Sequence, residues 1–229
     1  IEFIYDNIRP QGERLKGFGG RAGGPETIKR MFDKFHAVMH GQLGSEYPKI
    51  TPSGKVRPIH VLDLGNAIGK NIISGSVRSI AEIALLDKDD KESISAKLNI
   101  FGQEDLNHRF VSNNSVFYEE RPTDEQFDWQ FDAIMNNGEP CFVNAVVARR
   151  RRKNFQGVNP CVEILLADRG LCNLTTVNFM AFVKDGVLDG EGLVEAFKLA
   201  TRAGLRMTLP KLEIPEWDEV QQRDRLLGV

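Results

Sequence analysis

An α/β fold with a mostly parallel sheet is what this sequence predicts, and three observations carry the expectation. Several stretches repeat apolar residues at three- and four-residue spacing, the period of a helix with one buried face. Short apolar runs bounded by turn residues lie between them and read as buried strands. The two kinds alternate along the chain, as they do where helices cover a parallel sheet.

Taken in order, Ile1 to Tyr5 reads as a strand-like start, followed by a glycine-rich loop to Gly24. Pro25 stands at a first helical position with Glu26 beside it, which suits the helix dipole. Ile28, Met31, Phe32, Phe35 and Met39 then form one apolar face, and Gly41 and Gly44 end the helix. A polar turn with Pro48, Pro52 and Gly54 leads to a second helix, Ile59 to Ile73, with Leu62, Ile68 and Ile72 expected inward. Ser74-Gly75-Ser76 breaks it, and Ala81 to Leu86 reads as a buried strand. Lys88 to Lys97 is expected as a short exposed helix, and Asp124 to Met135 as a helix carrying Phe127, Trp129, Phe131 and Ile134. Val162 to Leu166 reads as a buried strand, and Gly192 to Ala203 as an amphipathic helix with Leu193, Phe197 and Ala200 on one face. No internal repeat or flexible linker appears, so one domain, or part of one, is the economical reading.

Composition narrows the function. With 229 residues, 41% hydrophobic and 27% charged, the chain has the balance of a globular protein rather than a disordered one. Thirty basic against 32 acidic residues give a net charge of -2, so no global field recommends nucleic acid or an anionic membrane. No apolar run approaches the roughly 20 residues of a membrane span, and no signal segment opens the chain. Three cysteines argue against a disulfide scaffold and for a reducing, cytoplasmic compartment. The chain opens on Ile1 and stops at Val229 in a charged, helix-like stretch, which reads as a piece of something longer.

Several candidate motifs carry little. Gly17 to Gly24 lacks the strand and acidic residue of a dinucleotide fingerprint and is better read as a turn that lets backbone approach a ligand or merely closes a loop. Gly65 to Lys70 is one residue short of a phosphate loop, with Asn71 where Ser or Thr is needed. His36 and His40 lie one helical turn apart without a third ligand, and the cysteine spacings fit no zinc site, so no protein-bound metal is expected. Arg149 to Lys153 is five consecutive basic residues, the one feature suggesting a non-catalytic nucleic-acid-binding module; a solvated helix face is the preferred reading.

The strongest signal is Asn159-Pro160-Cys161-Val162-Glu163-Ile164. In extended chain, residues two apart point to the same side, so amide, thiol and carboxylate would face one small substrate. A turn at Asp168-Arg169-Gly170 would fold Cys172 back beside the first thiol. Two buried structural cysteines are the alternative, which the polar flanks of Cys161 weaken.

NPCVEI followed by LCNLTTVNF resembles the active-site finger loop of ribonucleotide reductase large chains. IRPQGERLKGFGGRAGGPETIKRMF, DLGNAIGKNIISGSVRSIAEIAL, HRFVSNNSV and AFKLATRAGLRMTLPKLEIPEWDEVQQRDRLLGV are similar, in order, to the adenosylcobalamin-dependent class II branch. The resemblance implies residues 1–229 of a central portion of the catalytic barrel, a ten-stranded α/β barrel with the radical cysteine on a central finger loop. It implies that Cys161 carries a transient thiyl radical, that Cys172 belongs to a redox pair whose partner precedes this segment, and that Asn159 and Glu163 hold the ribose hydroxyls. Ser74, Gly75, Ser76, Val77 and Arg78 resemble the start of the loop that couples a deoxynucleotide effector to the substrate base, though SGSVRSIAEI departs from the GGVRRSAEI form at Gly75-Ser76 and Ser79. The implied cofactor is adenosylcobalamin. The implied partners are a ribonucleotide substrate, a deoxynucleotide effector, a thioredoxin-type reductant and the remaining portions of the same enzyme, with no membrane. A class I large chain, served by a metal-radical subunit, is the alternative within the family. Cys141 matches nothing in the resemblance and is expected to be structural.

Overall fold

Prolines and polar caps set where the helices begin. Pro25 and Pro58 occupy the first turns of α1 (Pro25–Met39) and α2 (Pro58–Ile73), where a missing N–H costs nothing. The Arg57 backbone N–H donates to His60 Nδ1 at 2.9 Å, closing the start of α2. Thr123 and Gln126 cap α4 (Asp124–Asn137) reciprocally, and Gly138 ends it at φ 85, a left-handed conformation natural to glycine. Asp189 accepts from the Gly192 N–H to start α6 (Gly190–Met207). The structure is a computed structural model that describes residues 2–16, 20–52, 54–74 and 80–229.

The described residues form two units, Ile1–Ala145 and Val146–Val229. In the first, β1 (Glu82–Asp87), β2 (Ser112–Tyr118) and β3 (Cys141–Asn144) make an all-parallel sheet in that order, Glu82 opposite Ser112 and Ser115 opposite Cys141. Parallel neighbours need crossovers. α3 (Lys91–Ile94) with the 3-10 turns Ser95–Lys97 and Glu104–Phe110 supplies one, and α4 the other. Leu86, Ile94, Val116 and Tyr118 form one buried cluster, with Ala84, Trp129 and Phe142 packed against it. Ile59, Leu62 and Ala96 form another. The expected α/β class with a parallel sheet is therefore present.

A buried polar hub fastens α2 to the turn before β2. Asp63, fully buried, accepts from Arg109 Nε at 2.6 Å, Arg109 Nη2 at 2.7 Å, His108 Nε2 at 2.8 Å and the Tyr47 hydroxyl at 2.7 Å. Burial alone would raise its pKa, but the hydrogen bonds from Arg109 and His108 outweigh it and hold the carboxyl well below the usual carboxylate range.

Four expectations need correction. Ile68 and Ile72 are 45% and 41% exposed, because α2 turns Leu62, Asp63, Asn66 and Ala67 inward instead. The inward face follows the Asp63 hub rather than hydrophobicity alone. The segment Lys88 to Lys97 is not simply exposed: Ser93, Ile94, Ala96 and Lys97 are buried, the Lys97 ammonium bonded to the Ser112 carbonyl and, at 2.7 Å, to Glu139. The described residues 2–5 form no strand. Val162 to Leu166 is strand only at Leu165–Leu166, for reasons that belong to the site below.

The chain enters the second unit through α5 (Ala145–Arg151). There, β4 (Gly157–Val158) and β5 (Leu165–Leu166) pair antiparallel, and β6 (Cys172–Leu174) pairs parallel with β9 (Leu226–Gly228). β7 (Val183–Lys184) and β8 (Val187–Leu188) close over Asp185 at φ 52 and Gly186 at φ 76, the doubly left-handed turn that an Asp-Gly pair favours. α7 (Pro215–Asp224) ends at Arg225, itself left-handed at φ 47. Asp224 stands at the unfavourable end of the helix dipole; Arg223 offsets this at 2.7 Å, and so does Arg152.

Candidate functional site

The hairpin β4–β5 carries the predicted motif on its connecting loop. Asn159, buried, closes the loop: its Oδ1 accepts from the Ile164 N–H at 2.9 Å, and its own N–H donates to the Ile164 carbonyl at 3.3 Å. Within it the Val162 N–H donates to the Asn159 carbonyl at 2.9 Å, and Val162 takes φ 70. A β-branched residue there is strained, so the enclosing hydrogen bonds hold a turn that the side chain disfavours. Asn159, Cys161 and Glu163 consequently do not alternate along an extended strand. They stand on a tight loop that leaves Cys161 and Glu163 exposed and sinks Ile164 into the interior.

The expected turn at Asp168-Arg169-Gly170 is present, with Arg169 at φ 56 and the Gly170 N–H bonded to the Ala167 carbonyl at 3.0 Å. It brings Cys172, half-buried on β6, back to the loop. Burial pushes the Cys172 thiol pKa up, and the charges of Glu163 and then Cys161 push it further the same way. Cys172 thus lies within electrostatic reach of both Glu163 and Cys161. The parallel partner β9 places Leu226 opposite Cys172 and Gly228 opposite Leu174. The Gly228 pairing is a contributor that sequence reasoning missed, and nothing in its surroundings along the chain signals it.

Ser74 ends α2, its hydroxyl donating to the Asn71 carbonyl at 2.5 Å. Gly75, Ser76, Val77 and Arg78 lie outside the described residues. The glycine-rich segment approaches this helix end: a Cβ on Gly23 would sit 2.9 Å from Ser74 Oγ, so close backbone approach is a use of glycine here. A cavity of about 660 Å³ reaches Ser74, between α1, α2 and the Glu104–Phe110 turn, with Arg30, Lys34, Lys70, Asn71 and His108 in its lining. Lys34 donates to the Asp105 carbonyl at 2.7 Å and Lys70 to Asn107 Oδ1, both neutral acceptors. Burial lowers the Lys34 pKa, Asp105 opposes the shift, and Lys70 adds to it.

The remaining candidates are placed more simply. His36 and His40 stack with ring centroids 4.1 Å apart, and His40 Nδ1 lies 3.2 Å from Thr51 Oγ1. Among the described residues no group of three or more His, Cys, Asp or Glu is placed to hold a metal ion. Of the basic run, Arg152 turns inward, 17% exposed, to pair with Asp224, while Arg149, Arg150, Arg151 and Lys153 are exposed. Cys141 is exposed on β3, in the first unit; burial of its sulfur environment and the Glu139 charge raise its pKa. Among the described residues no helix is long and apolar enough to cross a membrane.

Cys161, Glu163 and Cys172 all lie in the second unit. The chain is 34% identical over 242 residues to the adenosylcobalamin-dependent ribonucleoside-triphosphate reductase of Lacticaseibacillus paracasei, covering 97% of this chain and 29% of that protein. It is 33% identical to the enzymes of the same name from Lactobacillus acidophilus and Lactobacillus leichmannii, over 235 and 238 residues, with the same coverage. Over nearly its whole length, then, the chain is homologous to a segment of adenosylcobalamin-dependent ribonucleotide reductases, and it spans about three tenths of their length. No family model matches the chain. No solved structure matches it either.

Proposed function

We propose that this chain is the segment of an adenosylcobalamin-dependent ribonucleotide reductase that carries the radical cysteine, acting on ribonucleoside triphosphates as its relatives do. The observation that carries this reading is the loop Asn159 to Ile164, with the thiol of Cys161 exposed and Glu163 within electrostatic reach of Cys172. In the reading, the loop is the central finger of a ten-stranded α/β barrel completed by the remaining portions of the enzyme.

The chemistry explains the residue types. Hydroxide is a poor leaving group from an unactivated carbon, so the 2′-hydroxyl needs a radical on the neighbouring carbon. As a thiyl, Cys161 takes the 3′ hydrogen atom, S–H and such C–H bonds being close in strength. Glu163 accepts the 3′-hydroxyl proton, and the 2′-hydroxyl leaves as water. Cys172 and its partner thiol together deliver two protons, one of them to the departing hydroxyl, and two electrons and end as a disulfide, which a thioredoxin-type reductant reopens; the Cys161 thiol then returns its hydrogen to C3′ and is left as the thiyl again. Asn159 orients the ribose while its oxygen keeps the loop closed. In this reading Cys161, on the loop, is the thiol that would receive the initiating radical. When bound, adenosylcobalamin supplies that radical by homolysis of its cobalt–carbon bond.

The cavity that ends at Ser74 suits the deoxynucleotide effector, with Arg30, Lys34 and Lys70 for its phosphates and Ser74 at the start of the responding loop. A nucleic-acid-binding role for Arg149 to Lys153 is less well supported, because Arg152 is committed to Asp224.

The test is Cys161→Ala in the complete enzyme. Deoxynucleotide formation is expected to vanish while nucleotide binding is kept, and turnover at the wild-type rate overturns the reading. The isolated chain, given cobalamin and dithiol, is expected to form no deoxynucleotide.

A further inference from the structure

The cavity that reaches Ser74 has cations on two of its walls and their anchors on the third. Arg30 and Lys34 stand one helical turn apart on α1, and Lys70, Asn71 and Ser74 follow the same spacing on α2, so each helix turns one stripe to the cavity. The Glu104–Phe110 turn forms the remaining wall and supplies the acceptors. The Asp105 carbonyl takes a hydrogen bond from Lys34 Nζ at 2.7 Å, and Asn107 Oδ1 takes one from Lys70 Nζ.

Those acceptors carry no charge. An ammonium donates more than one hydrogen bond, so engaging one proton on a neutral oxygen fixes the side chain without cancelling its charge. Among the described residues neither lysine nor Arg30 is in an ion pair, although Asp33, Glu104 and Asp105 share the lining. Like charges therefore face one cavity with no counter-ion in contact. The wall carries a second unmet demand: Asn71 Oδ1 and His108 Nδ1 are buried and have no hydrogen-bond partner. His108 is 1% exposed, and its Nε2 donates to Asp63 at 2.8 Å, which leaves Nδ1 as an acceptor. Uncommitted ammonium protons beside unsatisfied acceptors suit a ligand that brings anionic oxygens together with hydroxyl or N–H donors.

We propose that the cavity binds a polyphosphate group and that Asn107 is a positioning residue for it: by holding Lys70 on a neutral oxygen, Asn107 keeps that ammonium both placed and charged, as the Asp105 carbonyl does for Lys34. The identity of the ligand as a deoxynucleotide rests on the reading given above; the anion site does not. Asn107 acts through Lys70. A bond that only fastened the turn to α2 is told apart by Asn107→Asp. A carboxylate there fastens Lys70 at least as firmly, yet it cancels the charge the cavity needs and sets a negative group beside the phosphates.

The experiment is lysine footprinting of the full chain: acetylation by an N-hydroxysuccinimide ester, followed by mass spectrometry, at rising concentrations of tripolyphosphate or of each common deoxynucleoside triphosphate. Tripolyphosphate is expected to protect Lys34 and Lys70 together and to leave Lys184, on β7, unchanged. The variants are compared at Lys34, whose own anchor they leave intact. In Asn107→Asp the concentration for half protection is expected to rise about tenfold or more, with the thermal midpoint at or above the wild-type value. Asn107→Leu, which removes the placement alone, is expected to raise it about threefold. Asn107→Gln, which keeps a neutral oxygen, is expected to stay closest to the wild type.

Two results overturn the proposal. One is a wild-type protein in which none of these anions protects Lys34 and Lys70. The other is a folded Asn107→Asp variant with wild-type protection, the outcome of a purely fastening bond. If the aspartate variant does not fold, the other two decide: protection weakened by leucine and restored by glutamine supports the placement, and equal protection in both sinks it. Failure of the effector reading shows separately, as tripolyphosphate protecting at the same concentration as every deoxynucleotide, with the anion site intact.

Discussion

The two units solve the same problem, holding a loop in place, by different means. In the first, a charged carboxylate is sunk in the interior and four donors converge on it, so Asp63 ties α2, the Tyr47 loop and the turn before β2 into one body. In the second, strands of two or three residues are set by close apposition through small residues, Gly204 under Leu227 and Gly228 under Leu174. Buried charge gives rigidity but demands that every partner be kept. Bare backbone gives a snug seat for a reactive loop and leaves its thiol in the open. The difference teaches that the proposed thiol loop sits where the fastening is steric, and the strongest electrostatic fastening is elsewhere.

Removing the hub carboxylate should be the most damaging change. Asp63→Ala strands the Arg109 guanidinium in the interior, which costs about 3–5 kcal/mol. Urea unfolding followed by hydrogen exchange is expected to show that loss in α2 and β1, with amides of α6 protected as before. Loss spread evenly over both units would erase the contrast. The same carboxyl sets the acid limit. Its folded pKa is depressed, so its contribution is complete above the ordinary carboxylate range near pH 4 and is lost as pH falls through the folded value. The first unit should therefore hold a flat stability from pH 5 to 8 and lose it steeply in acid, and Asp63→Asn should flatten that acid limb.

A smaller effect belongs to the second unit. Gly204→Val pushes on Leu227 in a packed seam, an overpacking cost of about 1–3 kcal/mol. Thermal unfolding should report it, and faster exchange should appear at β6 and β9 but not at β2. Smallest is Thr123→Ala, which deletes the cap of α4 for about 1 kcal/mol. A change in Cys172 reactivity on that substitution would mean that the units are not separately fastened.

What the sequence disclosed follows the same division. The start of α1 was readable because Pro25 and Glu26 act locally. β2 was not, since Ser112, Asn114 and Ser115 sit buried where a strand pattern calls for apolar residues. Their surroundings make that tolerable: Asn66 Oδ1 accepts from the Ser112 N–H and Glu139 from the Asn114 N–H, both at 2.8 Å and both across long sequence separations. The reversal of Ile68 and Ile72 has the same origin. Cys161, Glu163 and Cys172 were legible as a group from residue type and spacing, but the geometry assumed for them was an extended strand. The loop instead depends on Asn159 reaching Ile164 and on a left-handed Val162, and periodicity reports neither. Gly228 was silent because a glycine required for space looks like any other glycine.

The Asn159 latch bears on how kinetics in this loop are to be interpreted. One side chain would serve two masters, the substrate through its amide and the hairpin through its oxygen. Asn159→Ala removes both at once, so a fall in kcat after that substitution mixes a lost ribose contact with a loosened thiol. Asn159→Asp keeps an oxygen facing the Ile164 N–H while deleting the amide donor. Comparing Cys172 alkylation in the two variants therefore divides the loss: the alanine should disturb that titration, and the aspartate should disturb turnover far more than the latch.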